Sequence, residues 1–454
     1  MKPSIPSGTR DFAPAEMYRR NFFFDTVRTV FARYGYQPLE TPAMEHLTTL
    51  TGKYGDEGDK LIYKILNSGD YLADAPADAL AARDTRALLP KICEKALRYD
   101  LTVPFARFVV MRQHELQFPF KRYQIQPVWR ADRPQKGRYR EFVQCDVDVI
   151  GSTSLLNELE QLQIVSEVFR AVDIGVVVKF NNRKILSGIA GVIGAPEKLI
   201  DLTVAIDKLD KIGPDKVEAE LRQKGFDDAA LSSVRELLAL TGSNDDKVAT
   251  MRRVLDGSDV GQQGVAEVTE LLALAQRSPV ALVPLEFDVA LARGLSYYTG
   301  TILEVKVSDP RSTFQSSICG GGRYDDLTGV FGLADMSGVG ISFGADRICD
   351  VLQELGTAGA GRVGTRLLVV NFGAQELAFA LDMVAGVRAA GVAAELYPDA
   401  VKLKKQMAYA NARGIPFVAI AGEEEIAKGE VTLKDMIGGE QRRLPVQALA
   451  DAVR

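Results

Sequence analysis

Residues 121–151 read KRYQIQPVWRADRPQKGRYREFVQCDVDVIG, and the rest of the chain is best understood from them. A half-buried strand sends successive side chains to opposite faces. In the first half Tyr123, Ile125, Pro127 and Trp129 share one face, while Arg122, Gln124, Gln126 and Arg130 share the other. In the second half Tyr139, Val143, Cys145, Val147 and Val149 fall together, opposite Arg138, Arg140, Phe142, Gln144, Asp146 and Asp148. A polar stretch, Ala131 to Gly137, separates the halves, with Pro134 and Gly137 as turn residues. The pattern predicts a long hairpin with an apolar back. Its front carries arginines near the loop and an amide and carboxylates further along. Such a front suits an anion at one end and a small polar or cationic ligand at the other. An ordinary sheet with a solvated face fits this stretch alone equally well.

Composition narrows the function classes. The 454 residues are 46% hydrophobic and 25% charged, ordinary for a globular protein with two to four domains. The net charge of −5 leaves no whole-chain basic footprint, so nucleic acid would have to be met by local patches. Cys93, Cys145, Cys319 and Cys349 show no CxxC spacing, which predicts buried thiols in a reducing cytoplasm rather than a disulfide framework or a zinc site. The only histidines, His46 and His114, argue against a His-ligated metal and against a Ser/His/Asp mechanism. The N-terminus MKPSIPSGTRDFAP has no apolar signal core or amphipathic presequence, and no run of about 18 apolar residues suggests a membrane span.

Along the chain, a helix is expected after Pro14, with Phe23, Val27, Val30, Phe31 and Tyr34 at helical spacing and Gly35 as its stop. Residues 36–42, YQPLETP, read as an edge strand or arm because two prolines deny full ladder pairing. In LRYDLTVPFAR (97–107), Asp100 and Thr102 share a face if extended, and Pro104 should start a helix. Residues 182–278 shift to helix formers with glycine breaks and read as a helical insertion. A strand is expected over 284–293 and another through Val307. GGGRYD (320–325) and GVGISFGADR (338–347) follow, the latter as a small-residue strand running into a helix whose first turn holds Arg347. A cation there is disfavoured by the helix dipole, which hints at an anionic partner. GTAGAGRVG (356–364) is a linker by composition. Beyond it, strands at 367–371, 393–397 and 417–421 with helices between predict an α/β unit.

At these motifs the chain resembles a known family. RADRPQKGRYREFVQ is similar to motif 2 of class II aminoacyl-tRNA synthetases, GVGISFGADR to motif 3, and the helix and arm from Phe23 to Pro42 to the dimerising motif 1. ARGLSYYTGTILEV and LRYDLTVPFAR resemble histidyl-tRNA synthetases in particular, and the resemblance covers nearly the whole chain. It implies an α+β catalytic domain with a mixed, mainly antiparallel sheet over residues 1–355, interrupted by the helical insertion 182–278. A linker (356–364) and a C-terminal α/β anticodon-binding domain (365–454) would follow. GVGISFG is not the dinucleotide GxGxxG.

Residue by residue, the resemblance implies these roles. Arg130, Arg293 and Arg347 would be the catalytic arginines, with Arg130 at the ATP α-phosphate and Arg347 at the γ-phosphate. Arg293 would bridge the histidine carboxylate and the α-phosphate. Asp132, Arg138 and Phe142 would line the ATP site, Phe142 stacking on adenine. Asp100, Leu101, Thr102 and Gln144 would surround the amino-acid backbone; Asp148 and Tyr298, with Tyr297 and Tyr324 beside them, would read the imidazole. One departure is that Asp100 and Asp148 stand where many bacterial members have Glu, keeping the charge with shorter reach. The implied partners are L-histidine, ATP, tRNA(His) and a second copy of the chain. Mg2+ would accompany ATP, with no dedicated protein metal site. Lys402, Lys404 and Lys405 form either a tRNA-backbone cluster or a solvated helix face. The competing expectation is a catalytically inactive regulatory or tRNA-sensing paralogue. Threonyl and prolyl synthetases lack the Arg-Gly-Leu-x-Tyr-Tyr string.

Overall fold

A computed structural model describes residues 2–292, 297–356 and 364–454. Arg293 and residues 357–363 of the expected linker lie outside the described residues. The chain divides into two compact units, Met1–Ala358 and Gly359–Arg454.

The first unit is built on an eight-stranded sheet. Its strands are β1 (Gln37–Pro38), β2 (Phe120–Trp129), β3 (Glu141–Ile150), β4 (Val176–Asn182), β5 (Leu285–Phe287), β6 (Thr301–Val307), β7 (Cys319–Tyr324) and β8 (Gly338–Gly344). Their spatial order is β1-β2-β3-β8-β7-β6-β4-β5. Only the edge pairs β1·β2 and β4·β5 are parallel; the five pairings between them are antiparallel. The hairpin is therefore real: β2 and β3 pair with Arg122 opposite Asp148, Gln124 opposite Asp146 and Gln126 opposite Gln144.

Helix α1 (Pro14–Arg33) starts on proline, has its entry closed by Ala13 N–H donating to Glu16 (2.9 Å), and ends before Gly35, whose φ is +80°. It buries Phe23, Val27, Val30 and Phe31 against the back of the hairpin, where the Phe31 ring lies 5.7 Å from both Tyr123 and Phe343. Helices α3 (Leu156–Ala171) and α6 (Ala345–Leu355) bury their apolar residues in the same core, with Phe169 5.8 Å from Phe343. The front is covered too. Helix α2 (Thr102–Arg112) and a second apolar cluster containing Tyr54, Tyr99, Phe105 and Tyr324 lie over it. Arg122 and Gln124 are consequently 0% exposed, less than Tyr123 or Ile125 on the apolar back. Period-two alternation separates two faces; it does not say which face is covered.

Among the described residues, the helices between 183 and 276 share one apolar core with the sheet. Ile185, Leu186 and Ile189 of α4 (Arg183–Val192) and Val265 and Val268 of α5 (Asp259–Gln276) join the apolar core of the sheet. The strand expected over 284–293 is shorter, Leu285–Phe287. Beyond it the carbonyls of Val289 and Leu291 accept from the buried Asn181 amide at 3.1 and 3.0 Å, so ladder pairing stops. Helix α2 begins at Thr102, two residues before Pro104.

The second unit holds β9 (Leu367–Val369), β10 (Ala394–Leu396), β11 (Phe417–Ile420), β12 (Glu430–Asp435) and β13 (Gln441–Pro445), in the order β10-β9-β11-β12-β13. The first three are parallel and the last two antiparallel. β12 and β13 were not evident in the sequence. Their turn is made by the Asp435 carboxylate, which accepts from the N–H groups of Ile437 (2.8 Å) and Gly438 (2.9 Å).

Candidate active site

A cavity of about 370 Å3 opens on the front of the hairpin, between β3, the hairpin loop, β7, β8 and the start of α2. Asp100, Thr102, Arg130, Asp132, Arg138, Phe142, Gln144, Asp148, Tyr297, Tyr298, Tyr324 and Arg347 all line it. Leu101 does not: its side chain is fully buried, and its carbonyl points at Arg122 behind the cavity (3.5 Å). Arg293 lies outside the described residues. Lys402, Lys404 and Lys405 belong to the second unit, exposed at the start of helix Leu403–Ala412.

One end of the cavity is a floor of buried acids. The Asp148 carboxylate accepts from the Tyr324 hydroxyl at 2.8 Å, and Arg122 Nη2 lies 2.9 Å from its other oxygen. Asp100 accepts from the Tyr54 hydroxyl (2.9 Å) and Val103 N–H (3.1 Å), with the Tyr297 hydroxyl at 3.4 Å. Gln144 donates to Ser342 Oγ at 2.8 Å. Two glycines make room. A Cβ at Gly340, the register partner of Asp148, would collide with the Asp148 carboxylate, and one at Gly338 would collide with the Tyr324 ring. This is the physical content of the small-residue strand GVGISFG.

Burial raises the pKa of Asp100, Asp146 and Asp148. Hydrogen bonds and Arg130 oppose it at Asp100, and Arg122 opposes it at the other two. Burial likewise pushes the Tyr54, Tyr297 and Tyr324 hydroxyls well above the ordinary phenol value, so they stay protonated donors. Two of these acids, Asp146 and Asp148, share one buried guanidinium, and Asp100 is held by hydroxyl and N–H donors; the floor is left rich in acceptors, suited to an ammonium and a ring N–H. Arg122 and Asp146 were not singled out from the sequence. The signal was there in their parity, which places both on the face that carries Asp148.

The other end is cationic. Arg130 Nε donates to the Tyr99 carbonyl (3.1 Å), and its guanidinium carbon lies 4.2 Å from the Tyr99 ring and 5.2 Å from the Phe142 ring. Arg138 is half exposed and 3.3 Å from Asp132. Arg347, in the first turn of α6, donates to the carbonyls of Gly137 (2.7 Å) and Ser317 (2.6 Å), tying that helix to the hairpin loop. Its neighbour Asp346 accepts from Arg20 (2.8 Å), Arg10 (2.5 Å) and Val143 N–H (2.8 Å). The lead-in before α1 therefore braces this end: Arg10 also stacks 3.6 Å over the Tyr139 ring, and Gly8 accepts from Arg140 N–H at 2.8 Å. Among the described residues no group of three or more His, Cys, Asp or Glu is arranged to hold a metal.

From Phe142 to Asp148 is six residues along one strand, roughly 20 Å at the strand rise.

Comparison with known proteins agrees with this geometry. Residues 94–348 match the family model for histidyl-tRNA synthetase, and residues 366–454 match that for an anticodon binding domain. The chain is 56% identical over 453 residues to the histidine–tRNA ligase of Bacteroides fragilis, covering 100% of this chain and 99% of that one. It is 56% identical over 448 residues to that of Porphyromonas gingivalis, covering 98% of each. Among solved structures, the histidyl-tRNA synthetase of a Nostoc species superposes with a TM-score of 0.83 at 32% identity, covering 100% of this chain and 99% of that one. An ATP phosphoribosyltransferase regulatory subunit/histidyl-tRNA synthetase from Bacillus halodurans, at 20% identity and a TM-score of 0.72 over 90% of this chain and 97% of that one, shares the fold. The chain, with its mixed catalytic sheet and separate C-terminal α/β unit, belongs to the histidyl-tRNA synthetase family.

Proposed function

We propose that the chain works as a histidine–tRNA ligase, joining L-histidine to the 3′ end of tRNA(His) at the expense of ATP. The observation that carries this reading is one cavity with arginines at one end, two of them in the hairpin loop, and a floor of buried carboxylates at the other, in a chain that matches such ligases over its full length. A histidine carboxylate oxygen attacks the α-phosphorus of ATP, and the bond to pyrophosphate breaks. The terminal ribose hydroxyl of the tRNA then attacks the adenylate carbonyl, and AMP leaves. No protein nucleophile is needed; placement and charge stabilisation supply the acceleration.

In this reading Arg130 holds the α-phosphate and carboxylate oxygens together, with Arg293 as its partner. Arg138, Asp132 and Phe142 seat the nucleotide and Arg347 the γ-phosphate. Asp100, Thr102 and Gln144 take the α-ammonium, and Asp148, Tyr297, Tyr298 and Tyr324 the ring. A ring with two N–H or N edges is read by an anion on one side and a hydroxyl on the other. Mg2+ arrives with ATP, held by its phosphates, whose charge it offsets. Lys402, Lys404 and Lys405 stand in or beside the first turn of their helix, where the dipole disfavours cations; an anionic tRNA backbone offsets that cost. The chain acts as a homodimer through α1 and β1, in the cytoplasm. Sedimentation of the purified chain tests the dimer.

No observation favours the inactive paralogue. Arg130 and Arg347 both line the cavity and the C-terminal unit is present. The deciding experiment is charging of tRNA(His) with labelled histidine. Label should become acid-precipitable only with ATP and tRNA(His) present. A folded protein that forms no histidyl-tRNA would overturn the reading.

A further inference from the structure

Arg122 sits behind the cavity, not in it. It is 0% exposed and does not line the cavity, while Asp146 and Asp148 do. Its Nη2 lies 2.9 Å from Asp148 Oδ2 and 3.9 Å from Asp146 Oδ2. The Phe105 ring lies 4.3 Å from its guanidinium carbon. Arg122 Nε and Nη1 and Asp148 Oδ2 are buried without a partner in hydrogen-bond geometry. Keeping a guanidinium there is costly, and an apolar side chain of the same volume would pack beside Phe105 without that cost. The arrangement makes sense if the charge serves the cavity. Tyr324 occupies only the Oδ1 of Asp148. Something must hold the second oxygen.

We propose that Arg122 is a positioning residue for histidine recognition: from behind the pocket it fixes the Asp148 carboxylate in place and in charge, so that an acceptor faces the imidazole N–H. This rests on the reading of Asp148 as the ring-binding acid. Asp146, at 3.9 Å, is the weaker claimant on the same guanidinium.

The test uses the full chain and measures binding of histidine and of ATP separately by calorimetry. Arg122→Met should weaken histidine about 30-fold, the loss of a charge-assisted contact, and leave ATP within threefold. Arg122→Lys, which keeps the charge, should recover most of the histidine affinity. A Met variant that binds histidine within threefold of wild type, or that loses histidine and ATP together, would overturn the proposal; so would a Lys variant no better than Met. If the Met variant does not fold, a cycle of Arg122→Lys with Asp148→Ala decides. The Lys change, which recovers most but not all of the affinity, should weaken histidine about three- to fivefold when Asp148 is present and have less than a twofold effect when it is absent. Equal effects in both backgrounds would show that Arg122 does not act through Asp148. A wild-type chain that binds no histidine would instead count against the ligase reading.

Discussion

Gly340→Ala is the sharpest probe of the floor. Gly340 lies directly across from Asp148 in the β3–β8 ladder, and its backbone is outside the left-handed region, so alanine adds no backbone strain. The added methyl would overlap the Asp148 carboxylate and press on the Val147 carbonyl. The backbone on both strands is held by the ladder, so the carboxylate is what yields, by about 1 Å or more. A misplacement of about 1 Å in a positioned group costs on the order of 100-fold. Overpacking costs a further 1–3 kcal/mol of stability, roughly, read as a fall of a few degrees in Tm. In pyrophosphate exchange with each substrate varied in turn, the KM for histidine should rise about 30- to 100-fold, with the KM for ATP within threefold. An unchanged histidine KM, in a variant whose Tm has fallen as expected, would show that histidine does not bind over Asp148. An equal rise for ATP would refute the division of the cavity into two ends.

Other perturbations test the framework. Arg323 on β7 donates to both oxygens of Glu158 (2.6 and 2.5 Å) and to Ser337 Oγ (2.6 Å), all deeply buried. Glu158→Gln should cost about 3 kcal/mol in urea unfolding, and a loss under about 1 kcal/mol would mean the pair is structurally idle. Asp146 is pushed up to about 7 by burial, against the pull of Arg122. The unfolded chain releases that proton near 4. Between about pH 4 and 7 the folded state therefore holds the extra proton, and this group's contribution to stability falls as pH rises through the window. Asp146→Asn should shrink the drop in stability from pH 5 to pH 8; an identical pH profile would contradict the assignment. Gly386, exposed in helix Leu377–Ala389 with nothing within 4 Å of where a Cβ would sit, should accept alanine with a gain of about 0.5–1 kcal/mol, and a loss in chemical unfolding would refute that.

How much was legible in the sequence differed by element. The hairpin could be read because polar and apolar residues alternate over 122–127 and 143–149, and the register sets Arg122, Gln124 and Gln126 against Asp148, Asp146 and Gln144. Helix α1 carried its own start and stop. The burial of Arg122 and Gln124 could not be read, because the cover over the polar front comes from α2 and from residues near Tyr54 and Tyr99, distant in sequence. The bracing of Asp346 by Arg10 and Arg20 was hidden for the same reason: those contacts span 336 and 326 residues. Leu101 lies between two cavity residues yet faces away, since a single residue's direction depends on where the helix begins. Strand Leu285–Phe287 stopped short because a side chain, Asn181, took over its backbone partners.

The most direct measurement is amino-acid-dependent exchange of labelled pyrophosphate into ATP by the purified chain. The proposed reading of the cavity, an acid floor for an ammonium and an imidazole and arginines for phosphates, predicts exchange with histidine and none with threonine or proline. A folded protein that gives no exchange with histidine, or exchanges equally with the other amino acids, would contradict the account.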